Sequence, residues 1–312
     1  MNSYLKTIIF FAFIFSGTTF SSAKQIAITF DDLPVNRSVS PKEMSDINNK
    51  ILEVLDKHRI RVIGFVNENK LFESADSSER ISILKRWIDK GNILGNHTYS
   101  HISLNHTPLP EYINDVIHGE KVSTQLMANA GLTLKYFRHP YLHTGLTPEI
   151  KNNFADFLVK HKYTVSPVTF DTDDWQFDSI YVEALAQGNI TKAKKIADDY
   201  LMHTKAKFEF YEKATQTIFS YDIAQIWLLH VNGLNADVLE DLLKIAKDYD
   251  YSFISLEEAL RDPVYENTAD SYYMDFGVSW LYRWDYSNGL KANWKEEPEP
   301  NIGDISAEKG ME

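Results

Sequence analysis

The 312-residue chain contains no cysteine, which excludes a disulfide framework, a thiolate nucleophile and any Cys-ligated metal centre. Nowhere does an uncharged apolar run reach the ~20 residues that a membrane-spanning helix needs. Basic residues are in deficit: 32 Lys and Arg stand against 44 Asp and Glu, a formal charge of −12. No basic stripe is left over to track a phosphate backbone, so nucleic acid is excluded as the main partner. Against those absences, 44% hydrophobic and 24% charged residues describe a globular chain and exclude a mostly disordered or fibrous one. A metal ion would have to be held by His, Asp or Glu, and ten histidines are present. The length suits two domains, or one α/β barrel with additions.

The first 23 residues have the form of an export signal. Lys6 supplies the positive start, residues 7–15 a short apolar core, and Ser21-Ser22-Ala23 small residues for cleavage before Lys24. The expected product is an exported protein, periplasmic or secreted, with no membrane span after cleavage. No Cys follows the apolar core, which argues against a bacterial lipoprotein.

Beyond residue 24, strand-like and helix-like segments alternate. Strands are expected at 25–30, 60–66, 93–94, 134–137, 162–170, 225–231 and 251–255. Helical spacing covers 43–58, 77–90, 110–130, 148–160 and 236–248. Repeated βα units imply a mainly parallel sheet with helices outside, open or closed into a barrel. Two stretches break the rhythm. Residues 176–222 are polar and helical in character and too long for a simple crossover, which reads as an insertion. Residues 263–312 form an aromatic-rich extension containing Tyr272, Trp280, Trp284 and Trp294. Its aromatics are expected to pack on the domain or to stack on sugars. It runs into Glu296-Glu297-Pro298-Glu299-Pro300, expected to be solvated and mobile.

In parallel α/β folds, functional groups gather where strands end and loops begin. Five segments here end in ionisable residues: Asp31-Asp32, His97-Thr98-Tyr99-Ser100-His101, Arg138-His139-Pro140-Tyr141, Asp171-Thr172-Asp173-Asp174-Trp175 and His230. His97 and His101 stand four apart, which on a helical turn puts both imidazoles on one face. Two neutral imidazoles and one carboxylate leave open positions on a catalytic ion such as Zn²⁺. The adjacent Asp31 and Asp32 diverge in direction, so one can bind the ion while the other takes a proton from water. An Asp pair at a strand end also commonly caps a helix or makes a turn.

Taken together and in this order, the motifs resemble those of the polysaccharide deacetylase family, the NodB-homology fold of family 4 carbohydrate esterases, over about residues 25–260. Thr29-Phe30-Asp31-Asp32 matches its first motif, His97 to His101 the H-[ST]-x-x-H motif, and Arg138-His139-Pro140-Tyr141 the R-x-P-[YW] motif. Asp171 to Trp175 matches the motif ending in Asp-Trp, and Leu228-Leu229-His230 the motif Leu-x-His. The resemblance implies a distorted, incomplete (β/α) barrel carrying the helical insertion and the C-terminal extension. It implies that Asp32, His97 and His101 bind one divalent metal, usually zinc, and that Asp31 is the general base, oriented by Arg138. It implies further that the Tyr141 backbone N–H stabilises the oxyanion. Asp174 then pairs with His230, which protonates the leaving amine, and Trp175 and Leu228 wall a pocket for the acetyl methyl.

The expected activity is metal-dependent removal of N-acetyl groups from an amino-sugar polysaccharide, releasing acetate. Two other readings stand beside it: an amide hydrolase of a small molecule on the same fold, and a non-catalytic exported carbohydrate-binding protein. The sequence departs from the family at Ile63-Gly64-Phe65-Val66, where a Thr-Phe-Phe run is common, and residues 263–312 lie outside the resemblance.

Overall fold

The computed structural model describes residues 24–302. The export signal expected over 1–23 lies outside the described residues. Strand β1 (Lys24–Leu33) runs through the centre, with Ile26, Ala27, Ile28 and Phe30 all buried. Apolar side chains on both faces are what a strand covered on both sides requires. Helix α1 (Pro41–His58) follows, its start fixed by the Ser40 side chain accepting from Glu43 N–H and by Pro41 in the first turn. Strand β2 (Ile63–Val66), helix α2 (Ser77–Asp89) and strand β3 (Ile93–Asn96) continue the alternation.

Next come α3 (Leu109–His118), α4 (Lys121–Asn129), β4 (Tyr136–Phe137), α5 (Pro148–Lys160), β5 (Thr164–Val165) and β6 (Phe170–Asp171). Helices α6 (Asp174–Ala186) and α7 (Ile190–Phe219) lead to β7 (Gln225–His230), α8 (Gly233–Asp248) and β8 (Tyr251–Ile254). Two single-turn helices, α9 (Leu256–Ala259) and α10 (Val264–Asn267), precede α11 (Trp280–Ser287).

The strand pairs described are all parallel, in the order β5-β4-β3-β2-β1-β7-β6, with β8 against β1. β7 takes one edge of β1, while β8 and β2 share the other, at residues 24–27 and 29–33 respectively. The two ends of this order, β5 and β6, are consecutive in the chain and joined through residues 166–169. The sheet therefore curls toward itself without closing, and that short link spans the gap. This is an incomplete (β/α) barrel.

Two local readings of the sequence, the helix over 110–130 and the strand over 162–170, are corrected. The helix expected over 110–130 is two helices, broken at Gly119. A Cβ on Gly119 would lie 2.5 Å from Tyr99 N and 2.6 Å from the Thr98 carbonyl carbon, so only glycine lets the helix end approach the 97–101 loop. The strand expected over 162–170 is two short strands split at Ser166-Pro167, because proline has no N–H for a ladder. Residues 176–222 form the crossover from β6 to β7, packed on the sheet and on α8. The acidic run after Glu296 is docked: Glu297 accepts from Lys207 Nζ and Tyr211 OH, both at 2.8 Å, and Glu296 from Lys213 at 2.7 Å. Lys207 is almost fully buried and so needs such a partner.

The extension packs closely. Tyr272, Trp280 and Trp284 are buried, Trp280 N–H donates to Val168 O at 2.6 Å, and Ser279 Oγ donates to Thr169 O at 2.9 Å. Arg283, 1% exposed, donates to Thr144 Oγ1 at 2.7 Å and to the Leu142 carbonyl, with its guanidinium 4.3 Å from the Trp280 ring centroid. Replacing it strands buried acceptors and breaks a charge network near Asp270. Arg283→Ala is expected to cost about 3 kcal/mol in urea unfolding; a loss under about 0.5 kcal/mol would show that the extension is only loosely attached.

Candidate active site

Strand ends deliver the functional side chains to one place. Parallel register sets Asp31 on β1 opposite His230 on β7. His97 follows β3, and its N–H donates to Val66 O at the end of β2 at 3.1 Å. Arg138 follows β4, and its N–H donates to Asn96 O at 3.0 Å. Asp174 opens α6. A cavity of about 460 Å³ is lined by Asp31, Asp32, His97, His101, Tyr141 and His230, and also by Trp175 and Leu228.

The backbone around it is unusual. Eleven non-glycine residues among those described have positive φ, and Asp32, Thr98, His101, Tyr141, Leu142 and Asp173 are six of them. Left-handed conformations in such residues cost energy and persist where surrounding structure imposes them. The 97–101 segment is a loop, so the imidazoles converge through left-handed turns at Thr98 and His101, correcting the helical-turn expectation. Asn67 Nδ2 donates to His97 O at 2.6 Å, and Asp115 Oδ2 accepts from Ser100 N–H at 2.9 Å. These bonds hold the loop in that shape.

His97 Nδ1 bonds the Arg138 carbonyl at 2.9 Å, which fixes the tautomer with Nε2 as the free lone pair. Nε2 lies 4.0 Å from Asp32 Oδ1 and 3.6 Å from Asp31 Oδ2, and His101 Nε2 lies 3.6 Å from Asp32 Oδ1. Burial lowers both histidines, His97 to about 3 and His101 to about 4, so both imidazoles are neutral at pH 7. Burial pushes the Asp32 carboxyl upward, but the Lys70 ammonium and the His230 imidazolium outweigh it and hold the group ionised. Asp32 Oδ1 is buried and makes no hydrogen bond. An orphaned carboxylate oxygen facing two neutral imidazole nitrogens is a donor set that fits a divalent cation of the Zn²⁺ type.

Asp31 is anchored differently. Arg138 Nη1 approaches its two oxygens at 3.2 and 3.4 Å. The same guanidinium donates to Ser166 O, Ser166 Oγ and Thr29 Oγ1 at 2.7–3.0 Å and lies 4.6 Å from the Phe65 ring centroid. Arg138 thus ties β1 to the link that spans the barrel gap. Burial raises the Asp31 carboxyl despite the arginine.

On the opposite wall, His230 Nδ1 bonds Asp174 Oδ1 at 2.8 Å, leaving Nε2 as the ring atom available to the cavity. Asp174 Oδ2 accepts from His230 N–H, from Asn232 Nδ2 at 2.9 Å and from Asn235 Nδ2. Burial disfavours the imidazolium, but the Asp174 charge and hydrogen bond prevail and raise His230 to about 10.

All ten residues expected from the sequence therefore surround one cavity or brace its walls. Sequence reasoning passed over several others. Lys70 sits with Nζ 3.4 Å from Asp32 Oδ1, a lone lysine with no motif to mark it. Asn232 and Asn235 brace Asp174 from a helix start. His203 and Lys207 of α7 reach Asp173, each at 2.9 Å, so the long helix supports the site from behind. Phe276 and Gly277 of the extension line the cavity. A Cβ on Gly277 would lie 1.8 Å from the Tyr141 carbonyl oxygen, a contact open to glycine alone.

The fold and site define a curled (β/α) half-barrel with an Asp–His–His cluster, a second carboxylate and a paired histidine at its strand ends. A sequence model of the family described as Polysaccharide deacetylase matches residues 20–165, and over that stretch the chain resembles that family. It is 31% identical over 166 residues to a peptidoglycan-N-acetylglucosamine deacetylase of Bacillus cereus, covering 53% of this chain and 51% of that one. It is 27% identical over 117 residues to a chitin deacetylase of Colletotrichum lindemuthianum, covering 38% and 42%. The chain spans about half, or less, of the length of these curated relatives. In fold it is similar to a carbohydrate esterase family 4 pseudoenzyme from Bacillus anthracis, with a TM-score of 0.51 at 17% identity over 76% of this chain and 66% of that one.

The raised His230 has a consequence for stability. Its folded-state value exceeds the ordinary 6.5, so the Asp174 pair stabilises fully below pH 6.5 and that contribution is lost as pH rises toward about 10. Unfolding free energy measured in urea is expected to fall across that window, and Asp174→Asn to flatten the slope. An unchanged slope in the variant would place the titration elsewhere.

Proposed function

We propose that this protein is an exported, metal-dependent hydrolase that removes N-acetyl groups from an amino-sugar polysaccharide, releasing acetate. The observation that carries the reading is the orphaned Asp32 oxygen facing His97 and His101, with Asp31 and His230 in register on either side. Asp32, His97 and His101 would hold a divalent ion, zinc by the chemistry of the set, which when bound supplies Lewis acidity and lowers the pKa of water.

The chain's own groups do the rest. Asp31 takes a proton from the attacking water, and Arg138 keeps its carboxylate aimed and opposes the upward pull of burial. The Tyr141 N–H, placed by the turn after Pro140, donates to the carbonyl oxygen as negative charge develops there. An amide nitrogen leaves poorly unless protonated, and His230, kept as imidazolium by Asp174, is set to give it that proton. Trp175 and Leu228 border the space for the acetyl methyl. Around the cavity, Tyr141, Trp175 and Phe276 are 56%, 53% and 71% exposed, flat apolar faces of the kind that sugar rings stack on.

The named relatives act on peptidoglycan and chitin, which supports an acetylated polysaccharide as substrate. The resemblance to a pseudoenzyme speaks for fold alone; here base, ligand set and acid are all present, which favours catalysis over carbohydrate binding.

The test is acetate release from peptidoglycan, chitin oligomers, poly-N-acetylglucosamine and acetyl-xylan, with Zn²⁺ added. Asp31→Asn should lower turnover about 10²–10⁴-fold while retaining the ion, and His97→Ala should lose the ion. Wild-type rates in the first variant, or full metal affinity in the second, would refute these roles. His230→Ala should damage amide hydrolysis far more than hydrolysis of an activated aryl ester, whose leaving group needs no proton. Equal losses on the two substrates would contradict the acid role.

A further inference from the structure

Beside the catalytic cavity, a second group of metal-binding side chains comes together from three separate segments. His106 lies in the loop before α3, His143 in the turn after Tyr141, and Asp275 in the C-terminal extension. One donor atom from each lies within 4.8 Å of the others. His106 Nε2 is 3.0 Å from Asp275 Oδ1, and the His106 and His143 rings lie 5.8 Å apart in an edge arrangement. We propose that His106, His143 and Asp275 form a second divalent-cation site, which fastens the C-terminal extension to the rim of the active cavity.

Two imidazoles and a carboxylate suit Zn²⁺, Co²⁺ or Ni²⁺ better than Ca²⁺ or Mg²⁺, which prefer all-oxygen shells. Ligands of a tetrahedral zinc lie roughly 3.3 Å apart, given Zn–N distances of about 2.0 Å, so small rotations of His106 and Asp275 complete the set. Both are about half exposed and free to make them. Outer partners already aim the donors. Ser103 Oγ bonds His143 Nδ1 at 2.8 Å, which leaves Nε2 as the ring nitrogen available to a ligand. Asn105 Nδ2 donates to Asp275 Oδ1 at 3.2 Å, and Asn105 Oδ1 accepts from Gly145 N–H at 2.9 Å. One asparagine therefore gathers the segments that supply all three donors. A solvent-exposed His–Asp pair alone holds little; an ion shared with His143 would hold the extension firmly.

The consequence reaches the catalytic cavity. Asp275 directly precedes Phe276 and Gly277, and His143, Phe276 and Gly277 all line that cavity. An ion here fixes the wall against which Gly277 meets the Tyr141 carbonyl. The site is independent of the catalytic reading, because none of its three donors belongs to the Asp32, His97 and His101 set.

The experiment is a calorimetric Zn²⁺ titration of the chelator-stripped protein, repeated with Co²⁺ to read the ligand field by absorption. Asp275→Ala and His106→Ala are each expected to bind one equivalent fewer than wild type. His97→Ala should keep that equivalent and lose the one assigned to the catalytic pocket. As a second readout, Zn²⁺ should raise the thermal midpoint of His97→Ala but not of His97→Ala/Asp275→Ala. If Asp275→Ala and His106→Ala bind as many equivalents as wild type, the second site is overturned. If His97→Ala binds as many as wild type, the catalytic assignment fails and the second site stands.

Discussion

Two carboxylates on consecutive residues, Asp31 and Asp32, sit side by side out of bulk water, and much of the surrounding structure exists to neutralise them. Like charges at such range raise one another's pKa and destabilise the fold unless positive charge is brought to both. Asp31 receives a buried arginine with nearly all its donors used. Asp32 receives the Lys70 ammonium at 3.4 Å and two neutral imidazoles, and the oxygen that faces them makes no hydrogen bond. That oxygen and the two imidazole nitrogens are the donors a divalent cation would complete.

That electrostatic requirement explains features that stability alone does not. Left-handed backbone at Asp32, Thr98, His101, Tyr141, Leu142 and Asp173 is concentrated at the strand ends, where turning the chain sharply aims a side chain into the cavity. Arg138 satisfies Asp31 and at the same time bonds Ser166 in the link across the barrel gap, so closure of the fold and orientation of the base share one side chain. Asp174 does similar double duty, bracing the start of α8 through Asn232 and Asn235 while holding the His230 imidazolium. The extension adds a third support, with Arg283 gripping the 142–144 turn and Gly277 seated against Tyr141.

The sequence disclosed the βα alternation and the five strand-end motifs because both are local. Apolar runs and their terminating Asp, His and Arg residues stand next to each other in the chain. It did not disclose how the segments would be cut. Gly119 breaks a helix for the sake of the neighbouring loop, and Ser166-Pro167 splits a strand to feed Arg138; each break serves a contact far away in sequence. Lys70, His203, Phe276 and Gly277 were invisible for the same reason, since each reaches the site from an element with no motif of its own. The contacts of Glu296 and Glu297 are equally illegible in the sequence, because their partners, Lys207, Tyr211 and Lys213, lie on a helix far earlier in the chain.

The account stands on a cation shared by three residues, and X-ray diffraction at the zinc absorption edge from crystals of the Zn²⁺-loaded protein tests it most directly. The expected result is an anomalous peak about 2.0–2.2 Å from His97 Nε2, His101 Nε2 and an Asp32 oxygen, with the Lys70 ammonium displaced from Asp32. No peak at that position, with Lys70 still against the carboxylate under saturating zinc, would contradict it.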